Sequence, residues 1–352
     1  MTGAPQVSSY VLGEIFYHLC SDGPLPLRHV LFVSKAFFYA AINNAQLWTT
    51  ISLDFDFMDH FTRRSVKHAN GFIRQCLVHS GELPLCLRII YASHMHMATL
   101  SGSLQTFMNP KYRSAERCTS LMLYGLEDSS SISNILASLP RELPSLKDLD
   151  VIRFGDPVNG SQFPNCPLLE RVAIWNHLNS SPTFWRTSFA HVTTLSLEQR
   201  EQWEQDDMEI LLLFPLLHHL TLYATGEKVY WDTFDSQLRV QLEYLRILRV
   251  YGAVPSRILT GIVAPALEKL MIIADHLNLT SIDELLISFE PLCLRLVAFL
   301  PEGISVIDPM WATSFSKLVE KCTRLEELSI SKWMEEECKK FIDHSKVALH
   351  VL

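Results

Sequence analysis

The chain has 352 residues, enough for two ordinary domains or for one repeat array, which has no such size ceiling. Its composition, 48% apolar and 19% charged, is that of a well-packed protein and excludes low-complexity disorder over most of its length. Thirty Lys and Arg stand against 38 Asp and Glu, and the formal charge of −8 with no basic cluster argues against nucleic acid as the main ligand.

The first fifty residues hold four charged side chains, Glu14, Asp22, Arg28 and Lys35. A first helical pattern runs through Val11, Leu12, Ile15, Phe16 and Leu19, and Asp22-Gly23-Pro24 breaks it. A second takes in Leu27, Val30, Leu31 and Val33 and passes into Phe37, Phe38 and Ala41. A short third leads into Leu47-Trp48. A segment this small is marginal as a free-standing core, and with so few charges it leaves apolar surface over for a partner.

Beyond it the pattern Leu-x-x-Leu-x-Leu, with other aliphatics allowed, recurs to the end of the chain. Weak copies are Trp48-Ile51-Leu53 and Pro84-Leu87-Ile89, followed by Cys118-Leu121-Leu123. Then come Leu146-Leu149-Val151, Leu169-Val172-Ile174, Val192-Leu195-Leu197 and Leu217-Leu220-Leu222. Leu245-Leu248-Val250, Leu267-Leu270-Ile272, Leu294-Val297-Phe299 and Leu325-Leu328-Ile330 complete the series. From Leu121 onward the middle positions step by 28, 23, 23, 25, 28, 22, 27 and 31 residues, in or near the range of leucine-rich repeats. Alternation in a strand turns the last two aliphatics of each motif inward and their neighbours outward. Between motifs, Val66, Ala69, Phe72, Ile73, Cys76 and Leu77 have helical spacing, as do Ile132, Ile135, Leu136 and Leu139. The expected fold is an α/β leucine-rich-repeat solenoid over 51–352, with a parallel sheet on the concave face and helices on the convex face. A small all-α domain over 1–50 precedes it. A helix from Trp333 to His344, with Glu335 and Glu336 four residues before Lys339 and Lys340, is expected to cap the last repeat.

The helical string Val-x-x-x-Val-Leu-x-Glu-Ile-Phe over 7–16 is followed by Leu27-x-x-Val30-x-x-Val33-Ser34-Lys35-x-Phe37 and by Leu47-Trp48. Together these resemble an F-box, although the chain opens Val7-Ser8-Ser9-Tyr10 where that family usually has Leu-Pro-x-Glu. F-box proteins with C-terminal leucine-rich repeats are substrate receptors of SCF ubiquitin ligases. The resemblance therefore implies a Skp-type adaptor as partner, a cullin scaffold reached through it, and a protein substrate on the concave face. Carried over by position, the adaptor-binding set is Leu12, Ile15, Phe16, Val30, Val33, Ser34, Phe37 and Trp48. The plain alternative is a hydrophobic cap for a repeat scaffold with no ligase link.

No catalytic constellation is visible, and neither an enzymatic activity nor a cofactor is expected. His94-Met95-His96 lacks a third metal ligand, and Asp54, Asp56 and Asp59 lack the Gly and Glu of a calcium loop. Cys20 and His18, two apart on a helix, do not face each other. The eight cysteines form no CxxC and read as buried hydrophobes of a reducing compartment, cytosol or nucleus. No apolar run approaches the ~20 residues of a membrane span. Binding is the better expectation: Arg171, Trp175, His219, Tyr223, Arg249, Tyr251 and Lys269 flank inward aliphatics and include the residue types enriched at binding hot spots.

Overall fold

The computed structural model describes residues 9–19, 33–54, 63–90, 97–126, 135–154, 163–175, 189–199, 209–224, 239–252, 261–273, 296–299, 322, 324–330, 335, 339 and 347–351. These form a parallel-sheet solenoid of stacked coils with helices in some return segments, divided into two compact units, Met1–Leu169 and Glu170–Leu352.

The first unit begins with helix α1 (Ser9–Leu19), helix α2 (Lys35–Ile42) and the 3₁₀ turn Ala45–Trp48. Ser34 caps α2 by accepting from the Phe37 N–H at 3.2 Å, satisfying a donor the first helical turn leaves open. Strands β1 (Thr50–Asp54), β2 (Leu85–Ile90), β3 (Cys118–Leu126) and β4 (Asp148–Phe154) follow, each parallel to the one before. Helix α3 (Arg63–His79) joins β1 to β2; α4 (Met97–Phe107) and the short α5 (Ser114–Arg117) join β2 to β3. In α3, Ile73, Cys76 and Leu77 are buried, as their spacing predicts. The weak copies are true strands: Ile51, Leu87, Leu121 and Leu149 pair in one register row, Leu53, Ile89, Leu123 and Val151 in the next, and all eight are buried. Arg117 is an exception inside this core. Its guanidinium donates to Leu83 O (3.0 Å), Tyr112 O (3.2 Å) and Ser80 Oγ (2.7 Å), joining the turn after α3 to the segment before β3.

The second unit repeats the scheme with β5 (Arg171–Trp175), β6 (Thr194–Gln199), β7 (His219–Ala224), β9 (Ile247–Gly252), β11 (Lys269–Ile273), β12 (Leu296–Phe299), β13 (Glu327–Ile330) and β14 (Ala348–Val351). Two short strands, β8 (Val240–Gln241) and β10 (Ile262–Val263), pair separately one turn earlier in their coils. Val172, Leu195, Leu220, Leu248 and Leu270 form one inward row and Ile174, Leu197, Leu222, Val250 and Ile272 the other, all buried. At about 1.5–3 kcal/mol per buried aliphatic, these rows are a main apolar contribution of each coil. Of the expected helix Trp333 to His344, Glu335 and Lys339 are described: both are helical and form an ion pair. Strand β14 follows that segment and was not expected. Its Ala-Leu-His-Val sequence has no aliphatic in the leading slot of the motif, so periodicity passes over it.

The motif extends three residues further back than the sequence pattern shows. Leu146, Leu169, Val192, Leu217, Leu245, Leu267 and Leu325 each donate a backbone N–H to the residue three before: Leu143, Cys166, Phe189, Phe214, Leu242, Ala264 and Cys322. All seven acceptor residues are buried. Pro144, Pro167, Pro215 and Pro265 occupy the second position of four of these turns, where a fixed φ suits the turn and no N–H is wasted. The turn then feeds the sheet: the carbonyls of Glu170, Thr193, His218 and Arg246 each accept two successive N–H groups from the next coil. Aromatic rings at the turn position also meet, Phe189 packing at a tilt on Phe214 with centroids 5.4 Å apart.

Close approach of β7 and β9 requires Gly252, which has φ +72° and pairs with Ala224; a Cβ there would lie 1.9 Å from Ala224 O. Leu220→Ala or Leu248→Ala should therefore cost about 2–5 kcal/mol in urea unfolding, and Gly252→Ala should be destabilising although it adds one methyl group. Thr194→Ala, outward on β6, should move the midpoint little. Equal shifts at inward and outward positions would overturn the facing of the strands.

Candidate protein-binding surfaces

The apolar residues of α1 divide between two sides. Leu12 and Phe16 are buried, and the Phe16 ring lies 5.3 Å from that of Phe37 on α2, which is half-buried. Trp48 is buried, donates its Nε1–H to Ala41 O at 2.9 Å and packs 4.9 Å from His79 of α3. One residue round the same helix, Val11 and Ile15 are each 45% exposed, and Val33, at 65%, Phe38 and Tyr39 are exposed beside the start of α2. Of the eight positions carried over from the F-box resemblance, Leu12, Phe16 and Trp48 thus form core, Phe37 is intermediate, and Ser34 is an exposed cap. Ile15 and Val33 present apolar surface to solvent. Val30 lies outside the described residues.

The second surface is the outward face of β5 to β11. Side chains at i, i+2 and i+4 of each strand share this face, so the register arranges them in rows across the sheet. The row at the strand starts runs Arg171, Thr194, His219, Ile247, Lys269, which brings three of the expected binding residues into line. The row at the strand ends runs Trp175, Glu198, Tyr223, Tyr251, Ile273. Within it the rings form a continuous strip: Tyr223 and Tyr251 stack at 4.6 Å and 9°, and Trp175 reaches past Glu198 to lie 4.9 Å from Tyr223. Arg249 lies one row away from these rings, on the strand that also carries Tyr251, so three rings on three strands make the strip. Met122, Tyr124, Asp148 and Asp150 are outward residues of the first unit.

Burial and the charge of Arg249 both act on the titrating groups of this face. Burial first, then the positive charges of Arg249 and His218, hold the His219 imidazolium below its ordinary value of 6.5. Burial and the neighbouring Tyr251 hold the Tyr223 phenol above its ordinary value, so it remains a neutral hydrogen-bonding group.

The described residues offer little to reaction chemistry. Among them no group of three or more His, Cys, Asp or Glu could hold a metal ion, and no helix is long and apolar enough to cross a membrane. Cys76, Cys86, Cys118, Cys166 and Cys322 are free thiols. Burial pushes Cys118, Cys166 and Cys322 up to about 12 and Cys76 higher still, which leaves them un-ionised and unreactive at neutral pH. Cys20, His94, His96, Asp56 and Asp59 lie outside the described residues. No protein-family model matches the chain, and no curated protein matches its sequence.

An NMR titration of His219 should give a midpoint below 6.5 in the wild type and a higher one in Arg249→Leu, because removing a cation makes protonation easier. A midpoint that does not respond to Arg249→Leu would place the two side chains out of electrostatic reach.

Proposed function

We propose that this chain is a non-catalytic recognition subunit, with N-terminal helices that dock on a Skp-type adaptor and a repeat sheet that holds a protein substrate. The observation that carries the reading is the division of α1, with Leu12 and Phe16 turned into a core against Phe37 while Val11 and Ile15 stay exposed. An amphipathic helix that closes its own small core and still presents aliphatics to water is suited to packing against a partner. The second unit supports the other half of the reading, because aromatic rings held on an exposed sheet face are the residues on which protein interfaces concentrate their energy. Rigid strands hold the rings, so little side-chain freedom remains to be lost on binding. Ubiquitin transfer would then take place on other subunits, and this chain would supply proximity. Its place of action on this reading is the cytosol or nucleus.

One observation favours the alternative of a repeat scaffold with an N-terminal cap. Trp48 connects α2, through Ala41 O, to the first coil, through His79, and so covers the end of the array. Capping and adaptor docking use opposite sides of the same helices, and co-expression with a Skp adaptor separates them. Wild-type chain should co-purify with the adaptor. Ile15→Asp combined with Val33→Asp should abolish co-purification while leaving the circular dichroism spectrum and thermal midpoint within a few degrees, since both side chains are already exposed. A wild type that fails to retain the adaptor would sink the ligase reading and leave the scaffold.

A further inference from the structure

Between the cationic row and the ring strip lies a middle row, Ala173, Ser196, Thr221 and Arg249, on β5, β6, β7 and β9. Its first three side chains are short, so they floor a trough that the Trp175–Tyr223–Tyr251 rings wall on one side. Arg171 and His219 stand on the other, and Arg249 stands at one end. Thr221 faces outward by register yet is only 8% exposed, between His219 and Tyr223 on its own strand. Neither its hydroxyl nor that of Ser196 has a hydrogen-bond partner among the described residues, and Arg249 makes no ion pair among them. A buried hydroxyl and a guanidinium side by side, without partners among the described residues, supply the donors that an anion needs.

Taking this sheet face as a protein-binding surface, as proposed above, we propose that Arg249, Thr221 and Ser196 form a carboxylate subsite. It would receive an Asp or Glu of an extended peptide segment lying in the trough, with an apolar side chain of that segment against the rings near Trp175. The charge balance favours a monoanion. One guanidinium faces the subsite, His219 is held towards its neutral form, and Glu198 stands in the next row, so a dianionic phosphate would be left partly uncompensated. The guanidinium can take both carboxylate oxygens while the hydroxyls donate to the remaining lone pairs. From Thr221 to Ala173 is two strand spacings, roughly 10 Å, which an extended chain covers in about three residues. The segment's acid and its apolar anchor are therefore three residues apart.

The test starts from the full chain without adaptor, immobilised and panned with a phage-displayed library of random dodecapeptides. Selected peptides should share an Asp or Glu three residues from a large apolar side chain. Resynthesis of one of them with Gln for the acid should weaken its binding to the wild type by about tenfold, and Arg249→Leu should bind both versions equally. Tyr223→Ala combined with Tyr251→Ala should weaken both versions while keeping the preference for the acid. Enrichment of no peptide, selection without an acid, or an acid preference that survives Arg249→Leu would overturn the subsite. Tighter binding of a phosphoserine version than of the Glu version would overturn the carboxylate assignment. None of these outcomes depends on the N-terminal helices, so failure here is distinguishable from failure of the adaptor reading.

Discussion

A strand in this chain buries its two inward aliphatics by packing them beside those of the coils before and after it. Leu220, for instance, is closed in by Leu195 and Leu248 at the same register, and Leu222 by Leu197 and Val250. A single coil has no interior of its own, so burial and parallel pairing arise together or not at all. The remaining features of each unit follow from keeping that register. Turns of fixed length return the chain to the same height, and shared carbonyls such as Thr193 O and His218 O extend the ladder back into the turn.

The outward face inherits its order from the same constraint. Because inward residues must align, outward residues two apart align too, and side chains distant in sequence come into rows without any interaction of their own to bring them there. Tyr223 and Tyr251 are stacked because Leu222 and Val250 are paired. Gly252 shows how tightly the backbones are drawn together at that point, since no side chain fits between it and Ala224 O. The rows thus present charge and aromatic surface on a frame whose stability resides on the opposite side of the sheet. Substitution on the outward face is correspondingly cheap for the fold.

The N-terminal helices meet the first coil where Trp48 packs on His79, and Phe16 and Phe37 give them a small core of their own. Ile15 and Val33 do neither. Their exposure has no structural role among the described residues, which is why they are the positions where a docking function is best sought.

Periodicity by itself determined the repeat: its spacing, which aliphatics face inward, and the helical return segment through Ile73, Cys76 and Leu77. The reason is that alternation in strands and the 3.6-residue period in helices are local consequences of backbone geometry. In four of the seven motifs that carry it, the preceding turn was also written in the sequence, as a Pro at 144, 167, 215 and 265, but it goes unnoticed when aliphatics alone are counted. Strand β14 left too short a pattern to recognise. What only the tertiary structure decided is which side chains meet, because aligned motifs set the rows but not how a side chain lies across them, as where Trp175 reaches past Glu198 to Tyr223. The motif already places Arg249 one row from the rings and Arg171, His219 and Lys269 in line, but the stacking of Tyr223 on Tyr251 is a contact that it does not predict. Burial decided the rest, sorting Phe16 and Trp48 into the core and leaving Ile15 and Val33 outside, a distinction their shared hydrophobicity conceals.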